Sequence, residues 1–472
     1  LYARIDTEGP RYLGFERWWG NHVLLTGEEM QYIVDNLFVG NKLSTSELVT
    51  ADGIRLDLRK IRSPIICLCS KGDDITPPQQ ALGWITDLYR SDDDIVAAGQ
   101  TIVYAIHEKI GHLGIFVSGS VAKKEHTEFA SNIDLIDCLP PGLYEAIFTP
   151  KAADTANVDL AAGDYISRFE RRTLDDIRAL GNNTLDDDRC FEAVARLSEV
   201  NHGVYRTVVQ PMVRAMATEQ GAEWLFRMHP LRLGYETLSD RNPAMLPLDS
   251  AAQVVKENRQ PVSPDNPFLQ WEKLFSGWMT ASLNAFADWR DMITERTFFG
   301  IYGQPWLQAM LGLRASDDPP RKHPGEDPDH RAFVQRRMEE LRADMEKGGP
   351  HEAAIRALVY IRMPENAVDE RSFEMIRRIR AERCAQRTLP EFKQDLREQY
   401  LMLRLDERRA VETIPTLLEG REGEAQGLLD DIRRIVTAGG PLGEKAQKRL
   451  SEVEQLFGAS APAQKKSPKE AH

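Results

Sequence analysis

Residues 61–77 read Ile-Arg-Ser-Pro-Ile-Ile-Cys-Leu-Cys-Ser-Lys-Gly-Asp-Asp-Ile-Thr-Pro, and residues 101–114 read Thr-Ile-Val-Tyr-Ala-Ile-His-Glu-Lys-Ile-Gly-His-Leu-Gly. The continuous apolar run over 64–69 predicts a strand buried on both faces of a parallel sheet, and residues 101–106 predict the next strand. Between the two strands, Pro77 and Pro78 favour the start of a helix over about 79–90. This strand–helix–strand order predicts an α/β fold, with the polar turns after both strands at one edge of the sheet.

These two turns contain an acid and a histidine. Asp73 follows the first strand and His112 follows the second, which is the order of acid and base in an acyl-transfer triad. Asp74 is the alternative acid, and Asp73 could instead cap the following helix. His107, at the end of the second strand, is the alternative base, but we favour His112 because it follows a turn.

The nucleophile of such a triad usually lies in a Gly-x-Ser/Cys-x-Gly turn, and the 472 residues contain no such motif. The chain also begins Leu-Tyr-Ala-Arg, without an initiator Met. We therefore expect this chain to be part of a longer protein whose nucleophile lies upstream of Leu1, and we expect the part alone to be inactive.

Composition narrows the class of protein. The net charge of -13 disfavours nucleic acid as the main partner, and the absence of a long apolar run argues against a membrane span. Five cysteines without a Cys-x-x-Cys pair suggest free thiols in a reducing, cytoplasmic compartment. We expect no cofactor and no metal, since the sequence has neither zinc-ligand spacing nor a Gly-rich phosphate loop.

An ordered set of motifs over about residues 10–120 resembles a known family. The motifs are Trp-x-Asn at 19–21, Gly-x-x-Met at 27–30, Asn-Lys-Leu at 41–43, Asp-Gly-Ile-Arg at 52–55, Ser-Lys-Gly-Asp-Asp-Ile-Thr-Pro at 70–77 and Gly-His-Leu-Gly at 111–114. They resemble the C-terminal half of polyhydroxyalkanoate synthases and depolymerase-like relatives, which are acyl enzymes with the α/β-hydrolase fold. The whole chain resembles a bacterial branch of that superfamily with a long helical C-terminal extension.

This resemblance implies a partial α/β-hydrolase sheet that lacks its N-terminal strands. It assigns Asp73 as the acid that orients the histidine and His112 as the general base, while Asp74 stands where the synthases usually have a histidine. The implied chemistry is acyl transfer or ester hydrolysis through a covalent acyl-enzyme, on an acyl thioester, an ester or a polyester. The missing nucleophile, Cys or Ser, would distinguish synthase from hydrolase. The alternative is a non-catalytic scaffold that binds a granule or a protein partner through its helical extension.

The pattern along the chain predicts several regions. They are the C-terminal part of an α/β-hydrolase domain at 1–150 (with a capped helix over about 26–39), a helical domain at 151–316, a linker at 317–331, a small helical domain at 332–457 and a disordered tail at 458–472. A helical stretch over 191–216 is expected to be interrupted at 201–203. Asp369 and Glu370 are interpreted as a helix N-terminus rather than a cation site.

An aromatic stripe follows Pro267 at helical spacing. We expect it to pack between helices, with a polymer-binding or partner-binding face as the alternative. Its members are Phe268, Trp271, Phe275, Trp278, Phe286 and Trp289.

Overall fold

The computed structural model describes residues 4–20, 25–181, 184–239, 241–313, 323–325, 327–382 and 388–459. The chain forms two compact units: Leu1–Asn182 together with Lys322–His472, and Asn183–Arg321. We call them the sheet unit and the helical unit. This division differs from the predicted boundaries, because residues 151–182 and the C-terminal helices both belong to the sheet unit.

The sheet unit contains a mixed five-stranded sheet in the order β1-β2-β3-β4-β5. β1, β2 and β3 are parallel, whereas β4 is antiparallel to both β3 and β5. The coarse prediction of an α/β sheet with much helix is therefore confirmed, as are both predicted strands. The strands are β1 (Ile65–Ser70), β2 (Thr101–His107), β3 (Gly142–Pro150), β4 (Tyr165–Arg172) and β5 (Ala367–Asp369).

Nine helices of the described residues precede the helical unit. The expected capping box of Thr26 and Glu29 begins α2, and a π-helical segment, Val34–Phe38, continues it. The helices are α1 (Ile5–Gly20), α2 (Gly27–Ile33), α3 (Pro78–Leu88), α4 (Asp92–Ala97), α5 (Gly114–Val117), α6 (Gly119–Val121), α7 (Thr127–Ser131), α8 (Ile133–Cys138) and α9 (Leu174–Arg178).

Alternation along β2 divides the core between the two faces of the sheet. Ile102 and Tyr104 pack on one face with α3 and α4, while Val103 and Ala105 pack on the other. All four side chains are almost fully buried. This explains why the strand reads as a continuous apolar run rather than an alternating one.

The prediction of mostly helical structure over 151–315 is wrong at β4. Ile166 and Phe169 are buried, and the strand pairs with β3 over its whole length. The polar residues among them, such as Ser167 and Arg168, obscured the strand in the sequence. Cross-strand pairing and burial against the helices on one face stabilise it despite that mixed composition.

The helical unit contains the longest helix of the described chain, α15. The predicted interruption at 201–203 is wrong, because α10 continues through these residues into a π-helical segment, Tyr205–Val209, and then α11. The helices are α10 (Leu185–Val204), α11 (Gln210–Met216), α12 (Glu219–Arg227), α13 (Pro230–Thr237), α14 (Leu246–Glu257), α15 (Pro267–Tyr302) and α16 (Pro305–Met310).

The aromatic stripe lies on α15, and its expected packing between helices is not found in the described part of the chain. Phe268 is 82% exposed and Trp271 is 69% exposed, and the other four members are each more than half exposed. Apolar spacing correctly indicates a helix here, but it does not indicate what covers the helix.

The C-terminal helices pack against the sheet and do not form the predicted separate domain at 332–457. β5 pairs with β4, and Phe373 and Phe392 share a core with Phe169. The helices are α17 (Pro328–Ala343), α18 (Pro350–Arg362), α19 (Glu370–Glu382), α20 (Leu389–Leu405), α21 (Glu407–Glu412), α22 (Ile414–Leu417), α23 (Glu422–Thr437) and α24 (Glu444–Ala459).

A buried arginine ties these C-terminal helices together. Arg356 on α18 is 0% exposed, and its Nε donates to the Gln399 side chain at 2.7 Å. Its Nη1 donates to the carbonyl oxygens of Met345, at 2.7 Å, and Ala410, at 3.2 Å. These bonds satisfy the buried guanidinium with helix-terminal carbonyl groups instead of a carboxylate.

Two predicted regions fall partly outside the described residues. Residues 317–322 and 326 of the predicted linker at 317–331 are not described, and α17 begins inside that range, at Pro328. The tail at 458–472 is described only to the end of α24 at Ala459. Among the described helices, none combines the length and apolar character needed to cross a membrane.

Candidate active site

The two polar turns meet at one edge of the sheet. β1 and β2 are parallel neighbours, with Ser70 paired to His107, so the turns that follow them begin side by side. The structure brings Asp73 and His112 together, with Nδ1 of His112 2.9 Å from Oδ2 of Asp73. This meets the expectation that the two side chains lie within hydrogen-bond reach; their catalytic role stays a prediction.

Asp73 accepts hydrogen bonds on both carboxylate oxygens. Oδ1 accepts from the backbone N–H groups of Ile75 and Thr76, both at 2.9 Å, and Oδ2 accepts from the Thr76 hydroxyl at 2.8 Å. The carboxylate does not cap α3, because Pro77 precedes that helix without a side-chain cap. Asp73 thus organises its own turn and holds the histidine with the same group.

The environment of Asp73 keeps it ionised. The side chain is fully buried, and burial raises the pKa of the carboxyl. Hydrogen bonds from Thr76, His112 and Ile75 outweigh burial and hold the pKa of Asp73 far below its usual value. Because an ionised carboxylate only accepts, Nδ1 of His112 must carry the proton in this contact.

His112 presents its other nitrogen away from the acid. Its side chain is 37% exposed. Both of its hydrogen bonds in the described chain involve Nδ1, with Asp73 and with the Thr76 hydroxyl at 3.2 Å. With the proton on Nδ1, a neutral imidazole has its free lone pair on Nε2, which is the geometry of a general base.

Close contact between the two turns depends on Gly72. A Cβ at this position would lie 2.6 Å from the carbonyl carbon of Lys109 and 2.7 Å from its oxygen. The turn after β1 therefore approaches the turn after β2 more closely than any larger residue permits. Glycine here lets Asp73 reach His112.

The alternative residues have other surroundings. Asp74 is exposed, and the carboxylate that contacts His112 is that of Asp73. His107 uses Nδ1 to accept from the backbone N–H groups of Lys109 and Ile110, at 3.2 and 3.3 Å, so it shapes the turn that leads to His112.

The other candidate groups have structural contacts. Asp369 pairs with Arg371 at 2.7 Å, and Glu370 accepts from the Ser167 N–H at 2.9 Å. Burial raises the pKa of the Cys69 thiol to about 12, as expected for an inert buried cysteine. Within the described residues, no three His, Cys, Asp or Glu side chains are placed to hold a metal ion.

Sequence reasoning missed Thr76 and Gly72. Thr76 contacts both members of the pair, and Gly72 allows the turns to approach. The Asp-x-x-Thr order is a signal for Thr76, because Asp side chains commonly accept from the backbone two or three residues later. No sequence signal indicates Gly72, because its contact is with a turn 37 residues away.

A family profile described as "Protein of unknown function (DUF3141)" matches residues 1–345 of the chain. The chain belongs to the DUF3141 family. A Rhizobium meliloti relative, "Uncharacterized protein in ackA 5'region", is 50% identical to this DUF3141 protein over 465 residues. The alignment covers 98% of this chain and 63% of the relative, so the chain spans less than two thirds of that protein.

Two haloarchaeal proteins share local similarity with the DUF3141 chain, and both are named "Poly(3-hydroxyalkanoate) polymerase subunit PhaC". The Haloferax mediterranei protein is 27% identical over 120 residues, or 25% of this chain and 22% of its own. The Haloarcula marismortui protein is 29% identical over 105 residues, or 22% of this chain and 20% of its own. No solved structure matches the chain. The resemblance to the polymerases is therefore real but partial.

Proposed function

We propose that this chain contributes the acid and the base of an α/β-hydrolase-type acyl-transfer or ester-hydrolysis site. The observation that supports this is the bond between buried Asp73 and half-exposed His112, at 2.9 Å, on turns that follow neighbouring parallel strands. Catalytic groups of open α/β sheets collect at that edge. The acid also precedes the histidine along the chain, which is the order found in α/β-hydrolases.

In the proposed reaction, Nε2 of His112 takes the proton of a serine hydroxyl or cysteine thiol as its oxygen or sulfur attacks the acyl carbonyl carbon. The carbonyl π electrons move to oxygen, and Asp73 stabilises the imidazolium that forms. Collapse of the tetrahedral intermediate breaks the bond to the leaving group, which takes the proton from Nε2. The acyl-enzyme then reacts in the same way with water or with an acceptor hydroxyl.

The proposal includes a nucleophile supplied by sequence outside these residues. The 472 residues contain no Gly-x-Ser/Cys-x-Gly turn, and in the described chain nothing hydrogen-bonds to Nε2 of His112. The chain also spans only 63% of its rhizobial relative. The local similarity to the two polymerase subunits favours hydroxyacyl thioesters, or polyesters made from them, as the substrate class.

The test is the complete protein assayed on a 3-hydroxyacyl thioester and on a p-nitrophenyl ester. His112→Ala should lower turnover by roughly 10⁴-fold, because the loss of a triad base costs about that much. His126→Ala is the matched control, since His126 is exposed in a π-helical segment, and it should retain activity. Equal turnover by the His112 variant and the parent protein would overturn the proposal.

Exposure of the aromatic stripe favours a second candidate, a non-catalytic protein that binds a polyester surface through α15. Trp271 and Trp278 are 69% and 62% exposed, although a solvated face normally lacks such large apolar side chains. The protein should then co-sediment with polyhydroxyalkanoate particles, and its tryptophan emission should shift to the blue. A Trp271→Ala, Trp278→Ala double variant should lose both effects; equal pelleting by the parent protein and this variant would contradict the candidate.

A further inference from the structure

A cavity lies in the sheet unit, at the opposite end of the strands from Asp73 and His112. Its volume is about 210 Å³, and it lies among β3, β4, β5, α8 and the C-terminal helices. Tyr144 and Arg171, which are paired across β3 and β4, line it near the amino end of β3. Asp73 and His112 instead follow the carboxyl ends of β1 and β2. The cavity is therefore separate from the candidate active site.

The walls of this cavity are mainly aliphatic and aromatic. Empty apolar cavities of about 150 Å³ stay dry and take up small apolar molecules such as benzene, so this one has room for a somewhat larger apolar group. Its apolar lining includes Leu135, Leu139, Leu358, Phe373, Phe392 and Leu396.

The lining of the cavity includes a positive charge that forms no ion pair in the described chain. The Arg171 guanidinium lies over the ring of Tyr400, with Cζ 5.4 Å from the ring centre, and donates to the Tyr400 hydroxyl. No carboxylate of the described chain forms an ion pair with it. By contrast, Arg362 and Arg404, which also line the cavity, pair with Glu365 and Asp93.

Two further polar groups in or beside the cavity lack hydrogen-bond partners. Ser372 lines the cavity, is 6% exposed, and its buried Oγ has no partner in the described chain. Arg397, beside the lining, lies close enough to Asp137, Cys138 and Tyr144 to interact with them electrostatically. Its Nε and Nη2 are buried and also without a partner. Leaving such donors unpaired in the interior is unfavourable, most of all for a charged group.

We propose that this cavity binds an aliphatic carboxylate, with the chain among the apolar side chains and the carboxylate on Arg171 and the Ser372 hydroxyl. A carboxylate accepts the fork of donors that a guanidinium presents. An apolar body with a single anionic end matches a lining of mainly apolar side chains with one guanidinium that forms no ion pair among the described residues. The inference does not depend on the proposed function, because the site binds its ligand without turnover.

The test is calorimetric titration of the complete protein with octanoate, and with octanol as the uncharged ligand of the same length. Octanoate should bind with one-to-one stoichiometry and at least tenfold more tightly than octanol, since charged hydrogen bonds typically contribute that much. Equal affinities would overturn the proposal, because they would indicate uptake by exposed apolar surface alone. His112→Ala should bind octanoate as the parent does, which separates this test from that of the proposed function.

Two variants locate the site. Arg171→Met should weaken octanoate binding about tenfold or more, whereas Arg168→Met, on the same strand but paired with Glu170, should bind like the parent. Ser372→Ala removes a hydroxyl that makes no hydrogen bond in the described chain, so it should weaken binding without loss of stability. Parent-like affinity in both Arg171→Met and Ser372→Ala would overturn the assignment.

Discussion

The two units of this protein differ in the solvent exposure of their large apolar side chains. In the sheet unit, Ile361 and Phe169 are both 0% exposed within continuous cores. In the helical unit, Ile293 is 41% exposed and Trp278 is 62% exposed, although both occupy a long, regular helix. Large apolar side chains therefore form a packed core in one unit and face solvent along a long helix in the other.

This difference shows which part of folding a periodic pattern encodes. Periodicity fixes which face of a helix is apolar, whereas burial depends on a second element that returns to cover that face. In the sheet unit β5 and the C-terminal helices supply the cover. Matched substitutions in the two units test this contrast.

The largest expected difference is chemical. In the complete protein, Asp73→Asn should lower esterase or transferase turnover by roughly 10⁴-fold. The amide would donate to Nδ1 of His112, which places the imidazole proton on Nε2 and removes the base. Asp288→Asn, on an exposed position of α15, should leave turnover unchanged. Turnover by Asp73→Asn at the level of the parent would show that the pair is not catalytic.

Aliphatic truncation should separate the units by stability. Ile361→Ala should lower the free energy of unfolding by about 2–5 kcal/mol, because it leaves a cavity in a closed core. Ile293→Ala should change it by no more than about 0.5 kcal/mol, since the side chain is largely solvated. Urea unfolding measures both. A cost for Ile293→Ala similar to that for Ile361→Ala would mean that α15 is covered in solution.

Glycine-to-alanine substitutions should change stability in opposite directions in the two units. Gly72→Ala forces a Cβ against the Lys109 carbonyl, so we expect a loss of about 1–3 kcal/mol. Gly277→Ala on α15 meets no atom within 4 Å and should stabilise the helix by roughly 0.5–1 kcal/mol. Thermal denaturation of both variants gives the sign. Stabilisation by Gly72→Ala would contradict the close approach of the two turns.

The smallest effect concerns pH. Burial raises the pKa of Glu128, whose Oε1 has no partner in the described chain. A carboxyl with a raised pKa stabilises the folded state below its unfolded pKa and loses that contribution as the pH rises through the folded pKa. Glu128→Gln removes this loss, so its stability relative to the parent should be greater at about pH 7.5 than at about pH 4.

Glu295→Gln is the control in the helical unit, where the side chain is exposed. Urea unfolding at both pH values measures this control beside Glu128→Gln. A stability difference for Glu128→Gln that does not change with pH would show that its carboxyl is hydrated in the folded protein.

Much of the candidate site follows from local sequence. β1, α3 and β2 were predictable because a buried strand and a proline-initiated helix leave strong short-range signals, and these elements place Asp73 and His112 at one edge. The contribution of Thr76 has a weaker local signal. Gly72 has none, since its constraint comes from the backbone of Lys109.

The rest of the fold depends on distant contacts. β4 has a mixed composition and becomes a strand through pairing with β3 and β5. β5 has only three residues, Ala367–Asp369, too few for a periodic signal. The assignment of residues 332–457 to a separate domain failed for this reason. The prediction for the stripe on α15 was wrong in the opposite sense, since it expected packing between helices where the side chains are exposed. Nothing in the local sequence distinguishes an apolar face that is covered from one that is not.

Pairing between β4 and β5 also has a consequence for synthesis. Phe169 pairs with Val368, about 200 residues later in the chain. At translation rates of about 5–20 residues per second, β4 would wait on the order of 10–40 s for its last partner. During that interval the outer edge of β4 presents free N–H and C=O groups, a template for pairing with other chains. Nascent copies on one messenger are therefore exposed to mispairing at β4 until the C-terminal helices arrive.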